Sequence, residues 1–191
     1  FLPPAEFALA GVWPGPLNAA DLEKEAARAE AVAKKAISPF IRKMHLIEAG
    51  WYRAGGKGSS ADVKAWLDIC RDNNERVIAM HRLTLLAAVQ GRFDIAGAAL
   101  EKAMGIMPDS PILWRIRVAL AEGVKTVLEE ARKACPDDPE IWLASLVIRA
   151  SDETDGGWMQ AAAVKMADEK KYSPGTMVRA GDLFFRCGST D

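Results

Sequence analysis

Side chains able to do chemistry are few in this chain, and their spacing argues against catalysis. His45 and His81 are the only imidazoles, and neither belongs to an HxxxH pair that could hold a metal from one helix face. Cys70, Cys135 and Cys187 form no CxxC pair, and three thiols are too few for a disulfide framework in 191 residues. Cys70 lies among Trp66, Leu67 and Ile69, and Cys135 precedes Pro136 as Met107 precedes Pro108, so both read as buried, inert thiols. The run Gly55-Gly-Lys-Gly-Ser-Ser60 has the composition of a phosphate loop. That motif needs a Gly, four residues, then Gly-Lys-Ser/Thr after a strand. Here Trp51 stands where the first Gly belongs, Gly58 follows Lys57, and a helical pattern precedes, so the run reads as a turn. No catalysis, metal, cofactor or small-molecule substrate is expected.

The tryptophans could stack on bases or sugars, yet Trp51, Trp66, Trp114 and Trp142 all fall on helical apolar stripes and read as core. Trp13, in a Pro/Gly-rich stretch, is the one expected to anchor on another surface. Basic and acidic side chains number 25 and 26 and are intermixed, giving a net charge of -1. Such a balance offers no general field for nucleic acid or anionic membrane, so direct nucleic-acid binding is not expected. The longest apolar stretch, Val77 to Val89, contains His81 and Arg82 and falls short of the roughly 20 residues a span needs, so no membrane insertion is expected. Cysteine usage favours a soluble, intracellular setting.

These side chains must be positioned by helices. Residues 1–17 hold Pro3, Pro4, Pro14, Pro16, Gly11 and Gly15, and proline's fixed φ and missing N–H predict an extended lead-in. Asn18 can cap a leading helix through Ala36, in a segment spanning 18–37 that ends at Ser38-Pro39. The next helix runs from Ser38 to Ala54 with Met44, Ile47 and Trp51 on one stripe. Ser59, three residues ahead of Asp62, offers a capping box for a helix through Cys70. Glu75 to Gln90 and Arg92 to Met107 form an antiparallel pair joined at Gly91, and further helices are expected near 110–122, 124–135, 139–151, 157–170 and 175–187.

Met44, Met80, Trp114, Trp142 and Met177 each open such a helical pattern, at intervals of 36, 34, 28 and 35 residues. The surroundings also repeat. Pro108-Asp-Ser-Pro-Ile-Leu-Trp114 returns as Pro136-Asp-Asp-Pro-Glu-Ile-Trp142, and Leu100-Glu-Lys-Ala103 as Leu128-Glu-Glu-Ala131. Repetition near 34 residues marks stacked helix pairs, in which small residues let paired helices approach while bulky ones fill the gaps between pairs. The interval of 28 predicts that the Trp114 unit lacks its turn and the first turn of its second helix.

The pattern resembles the tetratricopeptide repeat (TPR) family over residues 40–191. With Met80 as the fourth position of a unit, Leu83, Gly91, Phe93, Ala96, Leu100, Ala103 and Pro108 all occupy fitting places, and Met177, Ala180, Gly181, Phe184 and Gly188 match the first helix of a last, incomplete unit. The resemblance implies an all-α fold, an α-solenoid of about five antiparallel helix pairs in a right-handed superhelix. Trp114 and Trp142 also resemble the half-a-TPR (HAT) variant of RNA-processing and splicing assemblies, although further aromatic and acidic positions of that variant read Arg117 and Ser145 here.

A repeat of this kind implies a noncatalytic scaffold for protein–protein interaction and complex assembly, or the docking or regulatory domain of a larger enzyme. In the family, the fifth position of each first helix faces the inner groove, and these positions are His45, His81, Arg115, Leu143 and Val178. Arg42, Arg53 and Arg82 lie at or beside the same groove. The expected partner is therefore an acidic peptide or helix of another protein, held by a basic N-terminal half, with Leu143, Val147, Val178 and Phe185 forming an apolar second half. The ninth positions, Ala49, Leu85 and Ala119, lack the asparagines of the carboxylate clamp found in chaperone-binding relatives.

Overall fold

The computed structural model describes residues 19–57, 62–121 and 124–152, with the single positions 164, 175, 177 and 178. Every regular element among the described residues is helical: α1 (Ala19–Lys35), α2 (Pro39–Arg53), α3 (Val63–Leu67), α4 (Asn73–Val89), α5 (Phe93–Ile106), α6 (Pro111–Leu120), α7 (Val124–Ala134) and α8 (Pro139–Asp152). Described residues through Leu113 belong to one compact unit and those from Trp114 onward to another, so the boundary falls inside α6. The extended lead-in, the Asn18 cap and most of the helices expected after residue 156 lie outside the described residues.

In the first unit, α1 packs on α2 by offering a seam of small side chains. Ala26, Ala29 and Ala33 are buried three and four residues apart, and α2 fills the opposing space with Phe40, Met44, Trp51 and Tyr52. Ser38 caps α2 by accepting from the Ile41 N–H at 3.4 Å, and Pro39 takes the first helical position, where its missing N–H is no loss. At the far end Arg53 donates to Glu30 at 2.5 Å and to Glu23 at 3.3 Å, contacts that require α1 and α2 to run antiparallel. The second pair, α4 and α5, buries Ala79, Met80, Leu83, Leu86 and Ala87 against Ile95, Ala96, Ala99, Leu100 and Ala103.

The 36-residue interval is visible as geometry. Helix α2 ends with Gly55 N–H donating to Tyr52 O and Gly56 N–H to Trp51 O, at 3.1 and 2.9 Å. Helix α4 ends identically, with Gly91 N–H on Ala88 O and Arg92 N–H on Ala87 O, at 2.9 and 2.8 Å. Both are Schellman motifs, which satisfy the last carbonyls through a left-handed residue; Gly55 (φ 59°) and Gly91 (φ 70°) supply it. Arg92, the residue after this glycine in α4, donates through Nη1 to the carbonyl of Gly56, its counterpart in α2, at 2.7 Å. Arg82 of α4 meets Glu48 of α2. Both contacts advance together along the chain, so these two arginines link α2 and α4 with the same polarity.

Two expectations for this unit need correcting. The helix through Cys70 spans only Val63–Leu67, packs on α4 and α5 and buries Trp66. Its cap is Asp62, whose Oδ1 accepts from Lys64 N–H at 2.8 Å, and Ser59 lies outside the described residues. A five-residue helix is what remains when Asp68 and the following turn take over the backbone so soon after the cap.

The repeated Pro-Asp-x-Pro turns place Pro111 at the start of α6, which straddles the boundary, and Pro139 at the start of α8, in the second unit. The shortening implied by the interval of 28 is shared by two helices. Helix α6 has 10 residues where α4 has 17, and α7 has 11 where α5 has 14. Arg117, the departure from the HAT pattern, lies 5.3 Å from the Trp114 ring centroid and 3.9 Å from a Glu130 oxygen, joining α6 to α7. Cys135 is buried as expected, but Met107, its counterpart, is 43% exposed, so the shared position does not carry shared burial. Cys70 is only partly buried; its thiol donates to Trp66 O at 3.1 Å, and burial followed by the charge of Glu75 pushes its pKa up.

Candidate functional site

The predicted basic column is present as residues, but most of its charge is engaged within the fold. His45 Nδ1 lies 2.8 Å from Glu48 Oε2, and Arg82 Nη2 donates to the other oxygen of the same carboxylate. Glu48 is 2% exposed and sits between the two helices. A carboxylate this deep needs partners to offset the loss of water, and His45 and Arg82 supply them. Burial works against the charge of Arg82, while the hydrogen bond and charge of Glu48 outweigh it and hold its pKa above the ordinary range. Tyr52, on the next turn of α2, has its phenol pushed up to about 12 by burial first and then by the charge of Glu48.

The other arginines of the candidate groove act similarly. Arg42 donates to the Ala36 carbonyl at 3.0 Å and closes the end of α1, and Arg53 holds Glu23 and Glu30. Arg115 belongs to the second unit, where Nε and Nη2 reach the two oxygens of Asp138 at 3.0 and 2.5 Å. Asp138 is 8% exposed and also caps α8, its Oδ1 accepting from Glu140 N–H at 3.1 Å and Ile141 N–H at 2.9 Å. His81 alone among these cationic positions has no hydrogen bond to a described residue. Burial, then the nearby charge of Arg82, lowers its pKa and favours the neutral ring.

The predicted apolar half divides. Leu143 is fully buried, so it packs in the core of its unit rather than lining an open surface. Val178 is 71% exposed. The Val147 side chain and Phe185 lie outside the described residues. Between α6 and α8, Arg115, Val118, Glu140, Ile141 and Ala144 line a cleft of about 80 Å³. Metabolite pockets run to several hundred Å³, so this cleft can receive a partner's side chain at most.

No match was found. Family models, curated proteins and solved structures all show no significant similarity to this chain. Function must therefore be argued from its own residues. Among the described residues no group of three or more His, Cys, Asp or Glu side chains is arranged to hold a metal ion, and no helix is long and apolar enough to cross a membrane.

Glu48 and Asp138 were the residues that sequence reasoning passed over. Both carried a readable signal. Glu48 follows His45 by three residues and Met44 by four, which puts it on the apolar stripe of α2. Asp138 stands immediately before Pro139, the place of an N-cap. What the sequence could not supply was the partner, since Arg82 and Arg115 are 34 and 23 residues away from them.

Proposed function

We propose that this chain is a noncatalytic scaffold of TPR-like stacked helix pairs, part of an α-solenoid that mediates protein–protein interaction in a larger assembly. One observation carries the reading: α2 and α4, 36 residues apart in register, end in the same hydrogen-bonded motif and are linked with the same polarity through Arg92 and Gly56. Parallel stacking of equivalent first helices extends a surface along the repeat direction, which suits recognition of extended partner segments. The basic groove that the family pattern suggests would act there with reduced charge, because His45, Arg82, Arg42 and Arg53 serve internal contacts first.

Affinity capture with the complete natural protein, followed by cross-linking and mass spectrometry, tests this. The expected result is a stoichiometric protein partner cross-linked to the exposed faces of the helix pairs. Intrinsic turnover of a small molecule, or the absence of any stoichiometric partner, would overturn it. The two alternative settings, a docking domain of a larger enzyme and a HAT-type splicing assembly, differ in the partners that such capture would identify.

A further inference from the structure

Most of the groove cations are engaged internally, whereas the lysines at the tip of the first helix pair project into solvent. Between Glu30 and Glu48 the chain has no acidic residue, yet Lys34, Lys35, Arg42 and Lys43 all lie there and all are exposed. In a chain whose 25 basic and 26 acidic side chains are otherwise intermixed, this is a pronounced local excess of positive charge. Ile37, in the turn between α1 and α2, is 96% exposed, and Val32 and Leu46 on the flanking helices are 42% and 51% exposed.

Helix stability explains only half of this charge. Lys34 and Lys35 complement the dipole at the C-terminus of α1 and Arg42 satisfies the Ala36 carbonyl, but Arg42 and Lys43 stand near the N-terminus of α2, which has no acidic residue in its first turn. Cations at that end gain nothing from the dipole. The tip is also held firmly. Ala36 N–H donates to Ala33 O at 3.3 Å, Arg42 to Ala36 O at 3.0 Å, and Ser38 accepts from Ile41 N–H. A turn fixed in this way loses little freedom on docking.

We propose that this tip is an interaction knob for an acidic protein surface: Ile37 enters an apolar pocket on the partner, and Lys34, Lys35 and Lys43 pair with carboxylates at its rim. The inference rests on the scaffold reading and specifies the chemistry of one partner. A protein is favoured over RNA because the aromatic ring of the stretch, Phe40, is 4% exposed and unavailable for base stacking. It is favoured over an anionic bilayer because Ile37 with the exposed parts of Val32 and Leu46 is too small an apolar anchor to add to the charge.

The test is site-specific photo-cross-linking in the complete protein with Ile37→p-benzoylphenylalanine, compared with the same probe at exposed Ala31. Cross-links from position 37 are expected on Asp/Glu-rich protein segments; the combined Lys34→Glu, Lys35→Glu and Lys43→Glu changes should reduce their yield about tenfold or more, and Lys43→Glu alone, which spares the C-terminus of α1, should reduce it with helicity and melting unchanged. Protein partners cross-linked from elsewhere but not from position 37, or segments without acidic excess, would overturn the knob and leave the scaffold reading intact. The absence of any protein partner would overturn both. Binding to phosphatidylserine vesicles or poly(U) RNA that these same three changes abolish would overturn the proposal in favour of lipid or RNA.

Discussion

Glu48 and Arg82, 34 residues apart in sequence, meet where α2 lies alongside α4, the arginine's Nη2 donating to a carboxylate that is 2% exposed. The pair does mechanical work that the apolar contacts alone do not specify, because it fixes which turn of one helix lies against which turn of the next. A slipped register would bury the carboxylate without its arginine, and that is the expensive error in a stack whose surfaces are otherwise mostly Ala, Leu and Met.

Glu48→Gln should therefore destabilise the first unit by about 1–3 kcal/mol, below the full penalty of a broken buried pair because the Arg82 side chain remains 40% exposed and can find water. A double-mutant cycle with Arg82→Gln, read by urea unfolding, should give a coupling of roughly 1 kcal/mol. Additive losses would mean that Glu48 is held by His45 alone.

The helices were legible because their signals are local. The stripe of Met44 and Trp51, the break at Ser38-Pro39 and the Gly91 turn need no knowledge of the rest of the chain. Interhelical partners were not legible: Arg53 with Glu23 and Glu30, Arg82 with Glu48 and Arg115 with Asp138 span 23 to 34 residues. For that reason a column of cations that looked like a binding surface from spacing is, in the fold, largely a set of internal clasps. Leu143 illustrates the same gap, since a residue's repeat position gives its helix face but not how deeply a shortened unit buries it.

His81 gives the clearest pH signature. Its pKa is lowered in the folded state, by burial first and by Arg82 second, so the unfolded chain binds the proton more readily. Stability from this group is complete above the unfolded histidine pKa of about 6.5 and declines as pH falls through that value toward the lower folded pKa. Urea midpoints measured from pH 8 to pH 5 should show a decline that is shallower in His81→Gln. Equal slopes in the two proteins would place the acid sensitivity in other groups.

Gly56 and Gly91, two of the three left-handed glycines among the described residues, should respond differently to alanine. A Cβ on Gly91 meets nothing within 4 Å, so Gly91→Ala costs only the backbone strain at φ +70°, about 1 kcal/mol. On Gly56, at φ +73°, the same atom would stand 2.5 Å from Gln90 Oε1 and 3.0 Å from the Trp51 ring. The glutamine can swing aside, but Trp51 is fully buried and cannot, so Gly56→Ala should cost roughly 1 kcal/mol more than Gly91→Ala. Thermal melts of the two variants decide this, and the reverse order would show that the Trp51 side relaxes freely.

Asp138 combines a cap and an ion pair, and two substitutions separate them. Asp138→Asn keeps an oxygen for the Glu140 and Ile141 N–H groups and loses the charge facing Arg115, whereas Asp138→Ala removes both. The cap is worth about 1 kcal/mol by general experience of helix N-termini, so the alanine variant should be less stable than the asparagine variant by roughly that amount. The remaining loss in the asparagine variant belongs to Arg115, and since that side chain is 36% exposed the loss should shrink as salt is raised. Hydrogen exchange at the first turn of α8 supplies the local readout: early amides should open faster in Asp138→Ala and stay protected in Asp138→Asn. Protection lost equally in both would assign the order of that turn to the charge pair and not to the cap.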